Sequence, residues 1–146
     1  MLEAAITQLA IEETPGTSVT WQIDSFAKAV GYDLKSDERD NWCGIFLGWC
    51  ALQTGHAMPE KPWGARQWLK VGDPVEYPQV GDVVVLSRPG ASWMGHVGLY
   101  LRMEGDYVWL LGGNQGGKVK ASKYEASRIF GYRRPLRLLH KRLGRN

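Results

Sequence analysis

The feature that most constrains this chain is the segment Trp42-Cys43-Gly44-Ile45-Phe46-Leu47-Gly48-Trp49-Cys50-Ala51-Leu52. It offers no polar face, so as a helix it has to be covered on every side. A polar run, Ser36-Asp37-Glu38-Arg39-Asp40-Asn41, leads into it, and Gly55 marks its end. The rest of the chain must therefore wrap around this helix. With 146 residues there is material for one domain and one sizeable core.

The flanking patterns say what does the wrapping. Leu2, Ala5, Ile6, Leu9 and Ala10 fall at helical spacing, which predicts a helix over 2–13 stopped by Thr14-Pro15-Gly16. Ile23, Phe26, Ala27 and Val30 predict a second helix over 23–30 capped by Gly31. Residues 57–79 are rich in Pro and Trp, with one short helical piece at about 65–70. The period then changes to two, giving expected strands at 82–87, 96–102, 106–112 and 128–134, with a hairpin turn at Met103-Glu104-Gly105. Helices first and hairpin-linked strands afterwards indicate an α+β domain with an antiparallel sheet. The domain is expected to span 1–135, with a basic tail over 136–146.

Charge excludes some functions. Six of the 18 basic residues and none of the 15 acidic ones lie in 133–146, so the remaining body is net acidic by about three. A domain-wide basic surface for nucleic acid is thus excluded, although the tail alone could touch an anionic polymer. No stretch approaches the ~18 apolar residues of a membrane span. Residues 1–10 carry Glu3 and lack a basic lead-in, so no cleaved signal peptide is expected. A chain of this kind is made in the cytoplasm and reaches any outside target by release or delivery. For its size, a monomer is expected.

The chemistry centres on Cys43 and Cys50. On one helix they stand roughly 10 Å apart, beyond disulfide reach. Cys43 falls in the first turn, after the capping candidates Asp40 and Asn41, where the helix dipole and free N–H groups favour a thiolate. Position alone leaves both a nucleophile and a buried structural thiol open for Cys43; Cys50, in mid-helix, fits the structural role. His96 opens a strand directly after the loop 89–95, where it can face the helix N-terminus as the base of a Cys–His pair, or simply be a polar strand end. Asn114, at the end of the next strand, is the candidate to orient the imidazole, with Gln115 the nearest substitute; Asn in a Gly-rich turn also has a purely conformational use. Trp63, Trp68 and Trp93 lie in segments that should border a cleft, while Trp42, Trp49 and Trp109 read as core. His56 and His140 follow no metal-ligand spacing, and neither a metal nor another cofactor is expected.

Four motifs in order, Asn41-Trp42-Cys43-Gly44-Ile45-Phe46, Gly81-Asp82-Val83-Val84-Val85-Leu86, Gly95-His96-Val97-Gly98-Leu99-Tyr100 and Gly112-Gly113-Asn114-Gln115, resemble the papain-like NlpC/P60 and CHAP superfamily. A compact bacterial and phage subgroup, ending in a motif like Gly131-Tyr132-Arg133-Arg134-Pro135, is the most similar. The resemblance implies a papain-like fold with N-terminal helices packed on the sheet. It also implies hydrolysis of peptidoglycan, as an amidase at the glycan–stem junction or an endopeptidase within the stem. It puts Cys43 in the position of the nucleophile, His96 of the base and Asn114 of the third polar residue. Trp63, Trp68, Trp93 and Gln115 are the candidates for substrate contact. Gly44 stands where Ala or Ser is commoner, and no papain-type glutamine precedes Cys43; Asp40, in that region, is either a donor or a helix cap. Partners in keeping with such an enzyme are peptidoglycan and, for a delivered toxin or phage lysin, an immunity protein or the phage or secretion apparatus. The rival readings are a catalytically inactive wall-binding or phage structural module of the same fold, and an acyl transferase using the same pair.

Overall fold

A computed structural model describes residues 1–13, 20–34 and 42–138. The helices are α1 (Leu2–Ile6), α2 (Trp21–Ala29) and α3 (Trp42–Thr54), followed by a 3-10 helix at Ala65–Lys70. Six strands follow: β1 (Asp73–Val75), β2 (Val83–Arg88), β3 (Ala91–Glu104), β4 (Tyr107–Gly112), β5 (Lys120–Glu125) and β6 (Ile129–Arg134). They form one sheet in the order β1-β6-β2-β3-β4-β5, and every neighbouring pair is antiparallel. This is the α+β, papain-like architecture expected from the order of patterns.

The apolar helix α3 is the centre of the molecule. Trp42, Ile45 and Cys50 have no exposed surface, and Phe46 and Leu47 almost none. Each large side chain so buried contributes about 1.5–3 kcal/mol of transfer free energy. Phe26 of α2 meets the Phe46 ring edge-on at 5.4 Å and the Trp49 ring at 4.9 Å. On the sheet side, Val83, Val85, Val97, Leu99 and Leu111 complete this core. A second, smaller core of Val84, Leu86, Val108 and Leu110 lies on the other face of the sheet, covered by Tyr100, Tyr124, Ile129 and Tyr132.

Helix α2 behaves as its sequence indicates. The Thr20 side chain accepts from the Ile23 N–H at the start, and Gly31, at φ 79°, ends it with Tyr32 N–H bonded to Ala27 O and Gly31 N–H to Lys28 O. Helix α1 is much shorter than the expected 2–13. After Ile6 the chain turns, and residues 10–13 pair instead with 117–119 through Ala10 N–H to Val119 O, Val119 N–H to Ile11 O and Glu13 N–H to Gly117 O. The Glu13 carboxylate also accepts from the Trp42 indole at 2.7 Å, tying this segment to the start of α3. Tertiary pairing has overridden a helical pattern.

In the sheet, β1 and β5 are additional to the expected strands, and β3 starts at Ala91, so His96 stands mid-strand opposite Leu86. The hairpin turn after β3 is centred on Gly105 and Asp106, one residue later than expected, with Glu104 facing Tyr107. The chain also stays paired just past residue 135. Leu136 O accepts from Ala57 N–H, Leu138 N–H donates to Gly55 O, and Arg137 bridges to His56, so 136–138 belong to the folded unit. The expected stop at Thr14-Pro15-Gly16, the polar run 36–41, His140 and the last three cations of the tail lie outside the described residues.

Candidate active site

Cys43 is the second residue of α3, so its own N–H is among the first four donors that have no partner inside the helix. Only about 5% of the residue is exposed. His96, on β3, reaches it from the sheet. Burial pushes the Cys43 thiol up, but the charge and hydrogen bond of His96 outweigh it, helped by the main-chain N–H groups of Val97 and Gly44, and the thiol ends below its ordinary range. The same balance holds in reverse for His96: burial lowers its proton affinity, the Cys43 charge and hydrogen bond raise it more, Gln115 adds to this, and the imidazole ends above its usual value. Both shifts run toward the thiolate and imidazolium forms. Cys50, buried without such a partner, is pushed up to about 12 and stays an inert thiol.

The imidazole is oriented from the far side. Gln115 Oε1 lies 3.0 Å from His96 Nε2. The Gln115 amide has no freedom to turn round, because its Nε2 donates to the main-chain oxygens of Leu110 and Lys120. With an obligate acceptor facing it, His96 Nε2 must carry the proton. The Tyr124 hydroxyl, from β5, also stands 3.2 Å from Nε2, and its ring lies 5.0 Å from the imidazole. Burial pushes the Tyr124 phenol strongly up, so it remains protonated.

The contact expected of Asn114 is thus made by its neighbour. Asn114 sits at φ 54°, the left-handed conformation that Asn tolerates, and lines a pocket beside His96. That turn sends residue 115 back under the imidazole. Gln115 is correspondingly 1% exposed with both ends of its amide engaged, which removes it from the candidates for substrate contact. Tyr124 was missed by the sequence reading. Its strand, Lys-Ala-Ser-Lys-Tyr-Glu, is polar and exposed at the sheet edge, and only the alternation of Ser122 and Tyr124 hinted at it.

Two recesses meet at Cys43. One, of about 220 Å³, is lined by Tyr32, Trp63, Ala65, Arg66, Trp93 and Met94. The Tyr32 and Trp63 rings lie 5.0 Å apart in its wall. Trp93 is 76% exposed at its rim, on a bulge of β3 between the pairs Ser87–Gly95 and Arg88–Ala91 that Arg66 pins through Met94 O. The other, of about 250 Å³, lies on the sheet side and includes Arg88, His96, Asn114, Tyr124 and Arg128. Trp63 and Trp93 therefore border the cleft as expected. Trp68 does not: it is buried and its indole donates to Pro62 O. Trp109, expected in the core, instead lies on the sheet surface, bonded to Glu104 and under Arg102.

A model of the CHAP domain matches residues 29–114, more than half of the chain. The chain belongs to the CHAP family. The match starts within α2, contains Cys43 and His96, and stops one residue short of Gln115. Comparison with curated proteins gives no match. CHAP membership implies a hydrolase that acts on peptidoglycan. Among the described residues of this CHAP domain, no group of three or more His, Cys, Asp or Glu could hold a metal ion, and no helix is long and apolar enough to cross a membrane.

The Gly44 position, unusual for the resemblance, has a local cause in this CHAP domain. A Cβ there would run into the main-chain oxygen of Pro62, with Trp63 next to it. The Pro- and Trp-rich segment lies directly on the nucleophile turn, and only glycine lets it approach so closely.

Proposed function

We propose that this CHAP domain cleaves an amide bond of peptidoglycan, as an N-acetylmuramoyl-L-alanine amidase or a stem-peptide endopeptidase, with Cys43 as nucleophile and His96 as base. The observation that carries this reading is geometric: Cys43, in the first turn of α3, meets His96 of β3 where two recesses join, and Gln115 holds the far side of the imidazole; the shifts of the two groups, thiol down and imidazole up, run the same way. Such a thiolate attacks a carbonyl carbon, and the Cys43 N–H at the start of α3 is available for the oxyanion. Because Nε2 keeps its proton toward Gln115, Nδ1 is the nitrogen that exchanges a proton with the reaction. Protonated His96 gives that proton to the leaving amine; a water then enters, loses a proton to Nδ1 and releases the acyl group, restoring the thiolate. Gln115 takes the orienting role first assigned to Asn114. Tyr32, Trp63 and Trp93 offer aromatic faces to the sugar or stem portion of the substrate.

The test is digestion of purified sacculi by the unmodified chain and by Cys43→Ala, with fragments resolved by mass spectrometry. Cys43-dependent fragments are expected, and their masses distinguish amidase from endopeptidase. Intact sacculi from several wall chemotypes would replace this reading with a wall-binding or phage structural role.

A further inference from the structure

The recess on the sheet side of Cys43 differs in kind from the aromatic cleft. Its cations are Arg88, from the end of β2, and Arg128, from the 3-10 turn before β6. Arg128 is fixed: its Nε and Nη2 donate to Ser87 O at 3.0 and 2.8 Å, and its guanidinium lies 5.3 Å over the Tyr124 ring. That leaves Nη1 as its uncommitted end. Arg88 is half-buried and paired with Ala91 through its backbone, yet among the described residues its side chain makes no hydrogen bond and no ion pair. Among the described residues no Asp or Glu lines the recess, and two guanidinium groups stand in it beside His96 and Cys43. Half-buried guanidinium groups held at one sign of charge are matched by a planar anion, which two of them can grip through parallel N–H donors.

We propose that this recess is a carboxylate subsite, in which Arg88, supported by Arg128, takes a free carboxylate of the substrate next to the scissile amide. The inference rests on Cys43 and His96 being the hydrolytic pair. Stem peptides carry free carboxylates close to their amide bonds, and some walls convert these to carboxamides. The subsite makes Arg88 a specificity residue that favours the free acid over the amide.

Two measurements test it and keep its failure apart from that of the proposed function. The first uses small probes: the rates at which iodoacetate and iodoacetamide alkylate Cys43, each normalised to a simple thiol. In the unmodified chain the anionic probe is expected to be favoured by about tenfold, in Arg88→Gln to lose that advantage, and in Arg88→Lys to recover part of it. Equal normalised rates in the unmodified chain, or a ratio that Arg88→Gln leaves alone, would overturn the subsite. The second compares stem peptides bearing the free carboxylate with the same peptides carboxamidated. A preference for the acid that falls about tenfold in Arg88→Gln supports the proposal. Equal cleavage of both by both proteins overturns it while leaving the hydrolase reading intact. A probe ratio that depends on Arg88, with no peptide cut at all, keeps the anion site and removes the hydrolase reading.

Discussion

At the scale of single residues, the site depends on a tautomer. The two carbonyls that hold the Gln115 amide decide which way its oxygen points, the oxygen decides which imidazole nitrogen is protonated, and that leaves the other nitrogen for the sulfur. Gln115→Ala should therefore cost about 10- to 100-fold in kcat, and should also narrow the alkaline side of the pH profile, since His96 then loses at lower pH the proton it must give to the leaving amine. Asn114→Gly should leave kcat within about twofold, because Asn114 contributes a left-handed bend that glycine adopts freely. Steady-state kinetics on a soluble stem peptide separate the two. The ion pair also has a signature in reactivity. Cys43 lies below the ordinary thiol range, so its alkylation by iodoacetamide should persist as pH falls well below about 8.5 and decline only when the thiolate itself is protonated. Cys50, at about 12, should remain unlabelled throughout the neutral range. Peptide mapping after timed labelling reads both.

At the scale of elements, what the sequence made legible follows how strongly each segment is tied to its own pattern. Helix α3 could be located because an all-apolar run has few ways to be satisfied, and α2 because its cap and stripe agree. Strand β5 could not, because an edge strand with its charges in solvent has no buried alternation to display. The early helix was overestimated because its period is helical as far as Ala10, yet pairing with 117–119 and the bond from Trp42 to Glu13 tie 10–13 to the rest of the fold, which an exposed helical turn would not do. The site shows the same division. Cys43 and His96 could be put forward as a pair from their places on elements together with the family resemblance, whereas the choice of Gln115 over Asn114 depends on a single left-handed residue, which spacing does not reveal. Close contact between elements gives a further expectation. Gly113 would place a Cβ 2.7 Å from atoms of both Phe46 and Trp42, so Gly113→Ala should destabilise by about 1–3 kcal/mol, measured by urea unfolding, through overpacking of β4's end on α3.

At the scale of the whole molecule, the chain closes on itself where its last described residues cover the end of α3. Truncation after Pro135 removes the pairing of 136–138 with Gly55, His56 and Ala57, and should lower Tm by about 5 °C, read by calorimetry. The two recesses beside Cys43 come from different layers. The aromatic one is built by the end of α2, the segment after α3 and the bulge of β3, while the cationic one belongs to the ends of β2, β5 and β6. Among the described residues they share only Cys43 and Gly95. The enzyme is thus built like a vice with two separately mounted jaws. If the two recesses take the substrate as proposed, exchange of residues in one jaw changes what is gripped on that side while the other keeps its hold, so a new preference can arise one side at a time without rebuilding the blade between them.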